Sequence, residues 1–177
     1  MNLLKILAVV LLVSSCGFQP LYVQRDNSSN WYFGDKFDTS IVEELAKIKV
    51  VAIKDRFGQQ LRNHLLDLLT PKGVPNDPQY RLVVEVLSKS VTQQAMRDDV
   101  TATNERIKYV VGYKLYEDSE LLVEGDSIAF VSYDILSDPY STTMSQKKAE
   151  ADAAKIVADD ITLRLGAYFH TQFGDNK

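Results

Sequence analysis

One cysteine, two histidines and no long apolar stretch set the first limits on this sequence. A lone Cys16 excludes an internal disulfide and any zinc site built on two or more thiolates, and only His64 and His170 offer imidazole. Metal chemistry is left to carboxylates. Basic residues are not in excess. The 20 Lys and Arg against 24 Asp and Glu leave a net charge of -4, with no general field for a phosphate backbone, so a nucleic-acid partner is not expected. Eight Gly and five Pro are too few for a fibrous or low-complexity chain, and 45% hydrophobic with 25% charged residues suits one folded domain. Common catalytic signatures are missing as well: there is no G-x-S-x-G elbow, P-loop or H-E-x-x-H, and no enzyme is expected. The neighbouring pairs Asp98-Asp99 and Asp159-Asp160 point to different sides of a helix or strand and read as solvated charge.

What is present begins with a leader pattern. Lys5 precedes the apolar run Ile6-Leu7-Ala8-Val9-Val10-Leu11-Leu12-Val13 and the small Ser14-Ser15. Eight apolar residues fall well short of the roughly 20 that cross a bilayer, so residues 1–15 read as a signal peptide rather than a span. Val13-Ser14-Ser15-Cys16 resembles the bacterial lipobox, in which the thiol is lipidated and the chain is cut just before it. Lipid chains on Cys16 would hold the mature protein on a membrane, since each buried CH₂ contributes about 0.8 kcal/mol. Gly17 after the cysteine, in place of Asp, favours the outer membrane by analogy with lipoprotein sorting.

Residues 16–40 are expected to form a lipidated start and a polar tether, interrupted by the aromatic cluster Trp31-Tyr32-Phe33, which suits docking on the domain or on a partner. The domain is expected over residues 41–177. Lys47 to Lys54 alternates Ile48, Val50 and Ala52 as a first strand, and Asp55 is placed to cap the first helix of the domain. Phe57, Leu61, Leu65 and Leu68 recur at helical spacing, with His64 a boundary residue. Tyr80 to Lys89 is β-rich, a loop is expected from about Gln94 to Thr103, and Arg106 to Glu117 alternates clearly. Ile107, Tyr109, Val111, Tyr113 and Leu115 share its core face; Arg106, Lys108 and Lys114 share the other, which reads as basic. A tight turn at residues 117–120 leads to a fourth strand over Leu121 to Tyr133. Ser137-Asp138-Pro139-Tyr140 reads as a turn, and a long helix is expected from about Thr143 to His170 with Ala154, Val157, Ile161, Leu165 and Tyr168 in its stripe. The order β-α-β-β-β-α predicts an α+β fold, a two-layer sandwich with two helices on one face of a four-stranded, mostly antiparallel sheet.

Three stretches in order carry a family resemblance: Cys16-Gly17-Phe18-Gln19-Pro20-Leu21-Tyr22, Gln60-Leu61-Arg62-Asn63-His64-Leu65, and Leu136-Ser137-Asp138-Pro139-Tyr140-Ser141. Together they resemble the LPS-assembly lipoproteins of the LptE family, in its alphaproteobacterial branch. The resemblance implies the same sandwich, lipid-anchored at the outer membrane, facing the periplasm and seated as a plug inside the β-barrel LptD, the pair delivering lipopolysaccharide to the cell surface. It implies no catalytic residue and no cofactor apart from the covalent diacylglycerol and N-acyl lipid on Cys16. It also implies lipopolysaccharide contacts from basic residues near the loop between the second and third strands, where Arg97 falls, and at the start of the last helix, where Ser145 is followed by Lys147 and Lys148. Arg106, Lys108 and Lys114 on the strand face complete the candidate set. The alternative is a freestanding periplasmic lipoprotein that binds an amphiphile on its sheet without a barrel partner.

Overall fold

The computed structural model describes residues 39–96 and 102–174, all within the unit Lys36–Lys177. Cys16, the leader, the Trp31-Tyr32-Phe33 cluster and Arg97 lie outside the described residues. The elements are α1 (Thr39–Leu45), β1 (Ile48–Val50), α2 (Asp55–Leu69), β2 (Tyr80–Met96), β3 (Ala102–Glu117), β4 (Glu120–Asp134) and α3 (Pro139–Gly174). They form the expected α+β sandwich: one four-stranded sheet in the order β1-β2-β3-β4, with β1 parallel to β2 and the other pairs antiparallel.

The additional helix α1 has seven residues, too few to be stable alone. Tertiary contact holds it. Ile41 and Leu45 pack on the core, while the Glu44 carboxylate accepts a 3.1 Å hydrogen bond from the Tyr80 hydroxyl and meets Lys47 Nζ at 2.6 Å.

β1 is shorter than the alternation implied. Ile48 and Val50 are buried, but Ala52 is exposed, because the chain leaves the sheet after Val51 N donates to Leu82 O at 3.0 Å. Asp55 does not cap α2. It sits at φ 67°, in the left-handed region, and the preceding Lys54 makes no side-chain cap bond. The tight entry is set instead by Gly58, where a Cβ would come within 2.5 Å of Ile53 Cγ2. In α2 the buried stripe is Phe57, Leu61, Leu65 and Leu69; Leu68, expected in it, is 43% exposed. Strict four-residue spacing places Leu69 beneath the sheet and rotates Leu68 outward.

β2 and β3 are much longer than expected: of the loop anticipated over 94–103, residues 94–96 and 102–103 are strand, and 97–101 lie outside the described residues. Polar residues such as Thr92 and Gln93 conceal this from propensity, yet cross-strand pairing extends to Met96↔Ala102. At the other end Glu117 pairs with Glu120, and Asp118 takes the turn's left-handed φ of 49°, which its short polar side chain tolerates. α3 begins four residues earlier than expected. The Asp138 carboxylate caps it, accepting from Ser141 N at 2.8 Å and Ser141 Oγ at 2.6 Å, and Pro139 fills the first helical position, where no N–H is needed. Those hydrogen bonds from Ser141 hold the Asp138 carboxyl below its ordinary value.

Between the layers, the ring of Phe57 stacks flat on Tyr109 with centroids 4.0 Å apart. Ala149, Ala153, Ala154 and Ala158 are buried on α3 among Val157, Ile161, Leu165 and Phe169. Small side chains there let α3 approach both α2 and β4 closely. Phe169, rather than Tyr168, ends the buried stripe, with its ring centroid 5.1 Å from that of Tyr80. Both long helices therefore cover one face of the sheet, and no described element lies over the other.

Candidate functional site

The uncovered face is built by period-two alternation. On β3 the inward set Ile107, Tyr109, Val111, Tyr113 and Leu115 is buried, as expected, so Arg106, Lys108, Val110, Gly112, Lys114 and Tyr116 point outward. Register adds the neighbours. Arg106 lies between Thr92 and Ser132, Lys108 between Ser90 and Phe130, Val110 between Ser88 and Ile128, and Lys114 between Val83 and Glu124.

This face is not uniformly basic. Toward the β2–β3 connection, exposed Arg106 and half-buried Lys108 stand beside Phe130 and Ile128, which are 57% and 48% exposed. Lys108 Nζ lies 5.7 Å from the centroid of the Phe130 ring, so its ammonium sits against an aromatic surface rather than a carboxylate. Lys114 is six residues further along, roughly 20 Å at strand rise. It meets Glu124 at 3.4 Å, and the Gly112 position beside it is ringed by acids. There a groove of about 440 Å³ opens over Gly112, bounded by Glu85, Leu87, Lys114, Glu124 and Asp126. A β-bulge between Val86 and Ser88 turns Leu87 onto this face, 55% exposed. Beyond it, the Arg81 guanidinium lies 4.7 Å from the centroid of the Tyr116 ring.

The helix-borne candidates are elsewhere. Lys147 and Lys148 are exposed near the start of α3, in the layer behind the sheet, and Lys148 pairs with Asp152 at 3.3 Å. The structure thus brings Arg106 and Lys108 together, separates Lys114 by an acidic groove, and sets Lys147 and Lys148 on the opposite side. Lys89, on the inner face of β2, reaches Glu150 at 2.8 Å and lies 5.5 Å from the Tyr109 ring, joining the sheet to α3.

Ile128 and Phe130 complete the cationic patch, a place that their hydrophobic character alone does not suggest. The signal was the parity of β4: Ser127 and Ala129 are small, and they are the residues buried beneath α3, which leaves the larger Ile128 and Phe130 outward. Burial raises the pKa of four phenols, Tyr80, Tyr109, Tyr133 and Tyr168, and two of them are displaced far. Burial, then the bond to Glu44, pushes Tyr80 up to about 12; burial, then the bond to Glu105, does the same for Tyr133, to about 12. Neither Tyr80 nor Tyr133 faces the open side. Among the described residues no group of three or more His, Cys, Asp or Glu is placed to hold a metal, and no helix is long and apolar enough to cross a membrane.

Comparison with known proteins fits this architecture. A structure of a candidate lipoprotein from Caulobacter crescentus CB15 superposes with a TM-score of 0.62 at 23% identity, over 73% of this chain and 96% of that one. A minor lipoprotein from Acinetobacter baumannii superposes with a TM-score of 0.51 at 18% identity, over 69% of this chain and 92% of that one. Both share the fold. In sequence, the uncharacterised protein RP188 of Rickettsia prowazekii (strain Madrid E) is 25% identical over 171 residues, 96% of this chain and 98% of its own length. The LptE family model, described as lipopolysaccharide-assembly, matches residues 18–165. A match over most of the length, on a sandwich of this topology, means that this chain belongs to the LptE lipopolysaccharide-assembly family.

Proposed function

We propose that the protein is a bacterial outer-membrane lipoprotein, acylated on Cys16, that seats in the LptD β-barrel and takes part in moving lipopolysaccharide to the cell surface. The observation that carries the ligand part is the pairing of Arg106 and Lys108 with exposed Phe130 and Ile128 on one open strand surface. A lipid A-type amphiphile presents phosphates next to acyl chains. Cations meet the phosphates by charge-assisted hydrogen bonds, and the adjoining apolar side chains meet the hydrocarbon. Family membership supports the assignment to lipopolysaccharide assembly, and the family implies the barrel as partner. The envelope location rests on the same membership.

The barrel is tested by purifying tagged full-length protein from native membranes in mild detergent. Co-elution with a β-barrel protein is expected; a monomer eluting apart from it would favour the freestanding amphiphile-binding reading. Ligand binding is tested with purified lipopolysaccharide. Arg106→Glu with Lys108→Glu is expected to weaken affinity about tenfold or more, as for lost charge-assisted contacts, while Lys114→Glu has a smaller effect. Equal affinity of all three proteins would remove this patch from the site. The anchor is tested by acyl-chain labelling, which Cys16→Ser is expected to abolish; label persisting on the variant would refute it.

A further inference from the structure

Among the described residues the sheet has two free edges, and they differ. Past Leu82, β2 pairs with no other strand on its outer side among the described residues, but the extra residues Leu87 and Gln94, at the register shifts Val86/Ser88 and Gln93/Ala95, break its row of backbone groups. Bulges of this kind are a standard protection of an exposed edge. β4 lacks that protection. Its register with β3 is unbroken from Leu115↔Val123 to Asn104↔Asp134, and among the described residues nothing pairs with its outer edge. It holds no proline and no lysine, the two residues that most often blunt an edge.

Its charges are all of one sign. Glu120, Glu124, Asp126 and Asp134 lie on β4 with no Lys or Arg, and Lys114 offsets only Glu124. A second β4 brought alongside would double these carboxylates without adding a cation, so self-pairing is opposed. The groove over Gly112 reaches this edge at Glu124 and Asp126 and runs back to Glu85 and Leu87. A long basic side chain on an added strand reaches Glu124 and Asp126 on the neighbouring β4, where its charge meets these acids.

We propose that the outer edge of β4 is a docking site for an extended, lysine- or arginine-bearing segment of a partner protein, added to the sheet as a fifth strand. Backbone hydrogen bonds along Val123 to Asp134 give the affinity; the acids select a basic occupant. This site lies in the plane of the sheet and does not depend on the lipid-binding patch on its face.

The test uses detergent-solubilised full-length protein and three end-capped synthetic peptides about ten residues long, a usual strand length. One alternates Lys and Val, one alternates Glu and Val, and one repeats the Lys/Val pattern with two central Val replaced by Pro. Fluorescence anisotropy is expected to show the Lys/Val peptide binding about tenfold or more tightly than either other peptide, since the second lacks the charge and the third the ladder. Hydrogen exchange is expected to slow in residues 123–134 and not in 83–96. Glu124→Lys with Asp126→Lys, both on the open face, is expected to invert the preference toward the Glu/Val peptide. Equal binding of the proline-bearing peptide, slowing at the β2 edge instead, or a self-associated dimer in place of the peptide complex would each overturn the proposal.

Discussion

Gly125 on β4 offers a stability prediction whose sign depends on one partner. Its φ is not in the left-handed region, so the backbone does not require glycine there. The space does. A Cβ on residue 125 would lie 2.9 Å from Tyr113 Oη, 3.1 Å from Cζ and 3.2 Å from Cε1. Tyr113 is 4% exposed, so its ring has nowhere to swing. Forcing a methyl into such a contact costs about 1–3 kcal/mol, and removing a strand glycine returns about 0.5–1 kcal/mol, so Gly125→Ala should destabilise by up to about 2.5 kcal/mol. Tyr113→Val opens the space at a cost of about 2–4 kcal/mol, a little below that of truncating an aromatic to alanine. In that background Gly125→Ala should stabilise by about 0.5–1 kcal/mol, because only the chain-entropy gain remains. The coupling, about 1–3 kcal/mol, is read from urea midpoints of the four proteins of the cycle, with m values checked for constancy. If Gly125→Ala has the same effect in both backgrounds, to within about 0.3 kcal/mol, the ring does not occupy the glycine's space and the reasoning fails.

The same geometry sets three further expectations. In α2, Leu69→Ala should cost about 2–5 kcal/mol and Leu68→Ala under about 1 kcal/mol, because only Leu69 is buried; equal urea midpoints would contradict the helix phase. Tyr80 and Tyr133, each held protonated to about 12, favour the folded state while neutral. Their folded values exceed the unfolded value of about 10, so that stabilisation is whole below pH 10 and is lost as pH rises toward 12. Denaturation midpoints falling across that window are expected, with a shallower fall for Tyr80→Phe; a flat profile would contradict it. Lys147→Gln with Lys148→Gln should change lipopolysaccharide affinity less than the Arg106 and Lys108 reversals, since α3 lies behind the sheet; a larger loss would place the ligand on the helix side.

The two long helices, the inward row of β3 and the class of the fold were legible because each rests on a repeat that the chain displays locally. Phe57, Leu61 and Leu65 recur at helical spacing, Ile107 to Leu115 at strand spacing, and either period exposes one face to burial whatever lies opposite. The LptE-like motifs were legible for a similar reason, each being contiguous. Asp138-Pro139 was readable as an N-cap before a helix-starting proline, although its setting in a polar stretch suggested only a turn.

Tertiary structure alone decided whatever depends on contact between distant segments. α1 exists because Glu44 and Ile41 find Tyr80 and the core, the polar ends of β2 and β3 are strands because each supplies the other's hydrogen bonds, and Leu87 faces outward because a bulge turns it. The open face divides into a cationic, apolar end and an acidic groove only when β4 is laid beside β3 in register, which sets Phe130 against Lys108 and Glu124 against Lys114. Local periodicity determines which side of a strand a residue occupies. Which charges become neighbours is settled by pairing across strands, and that depends on the free energy of the whole sheet rather than on any one segment.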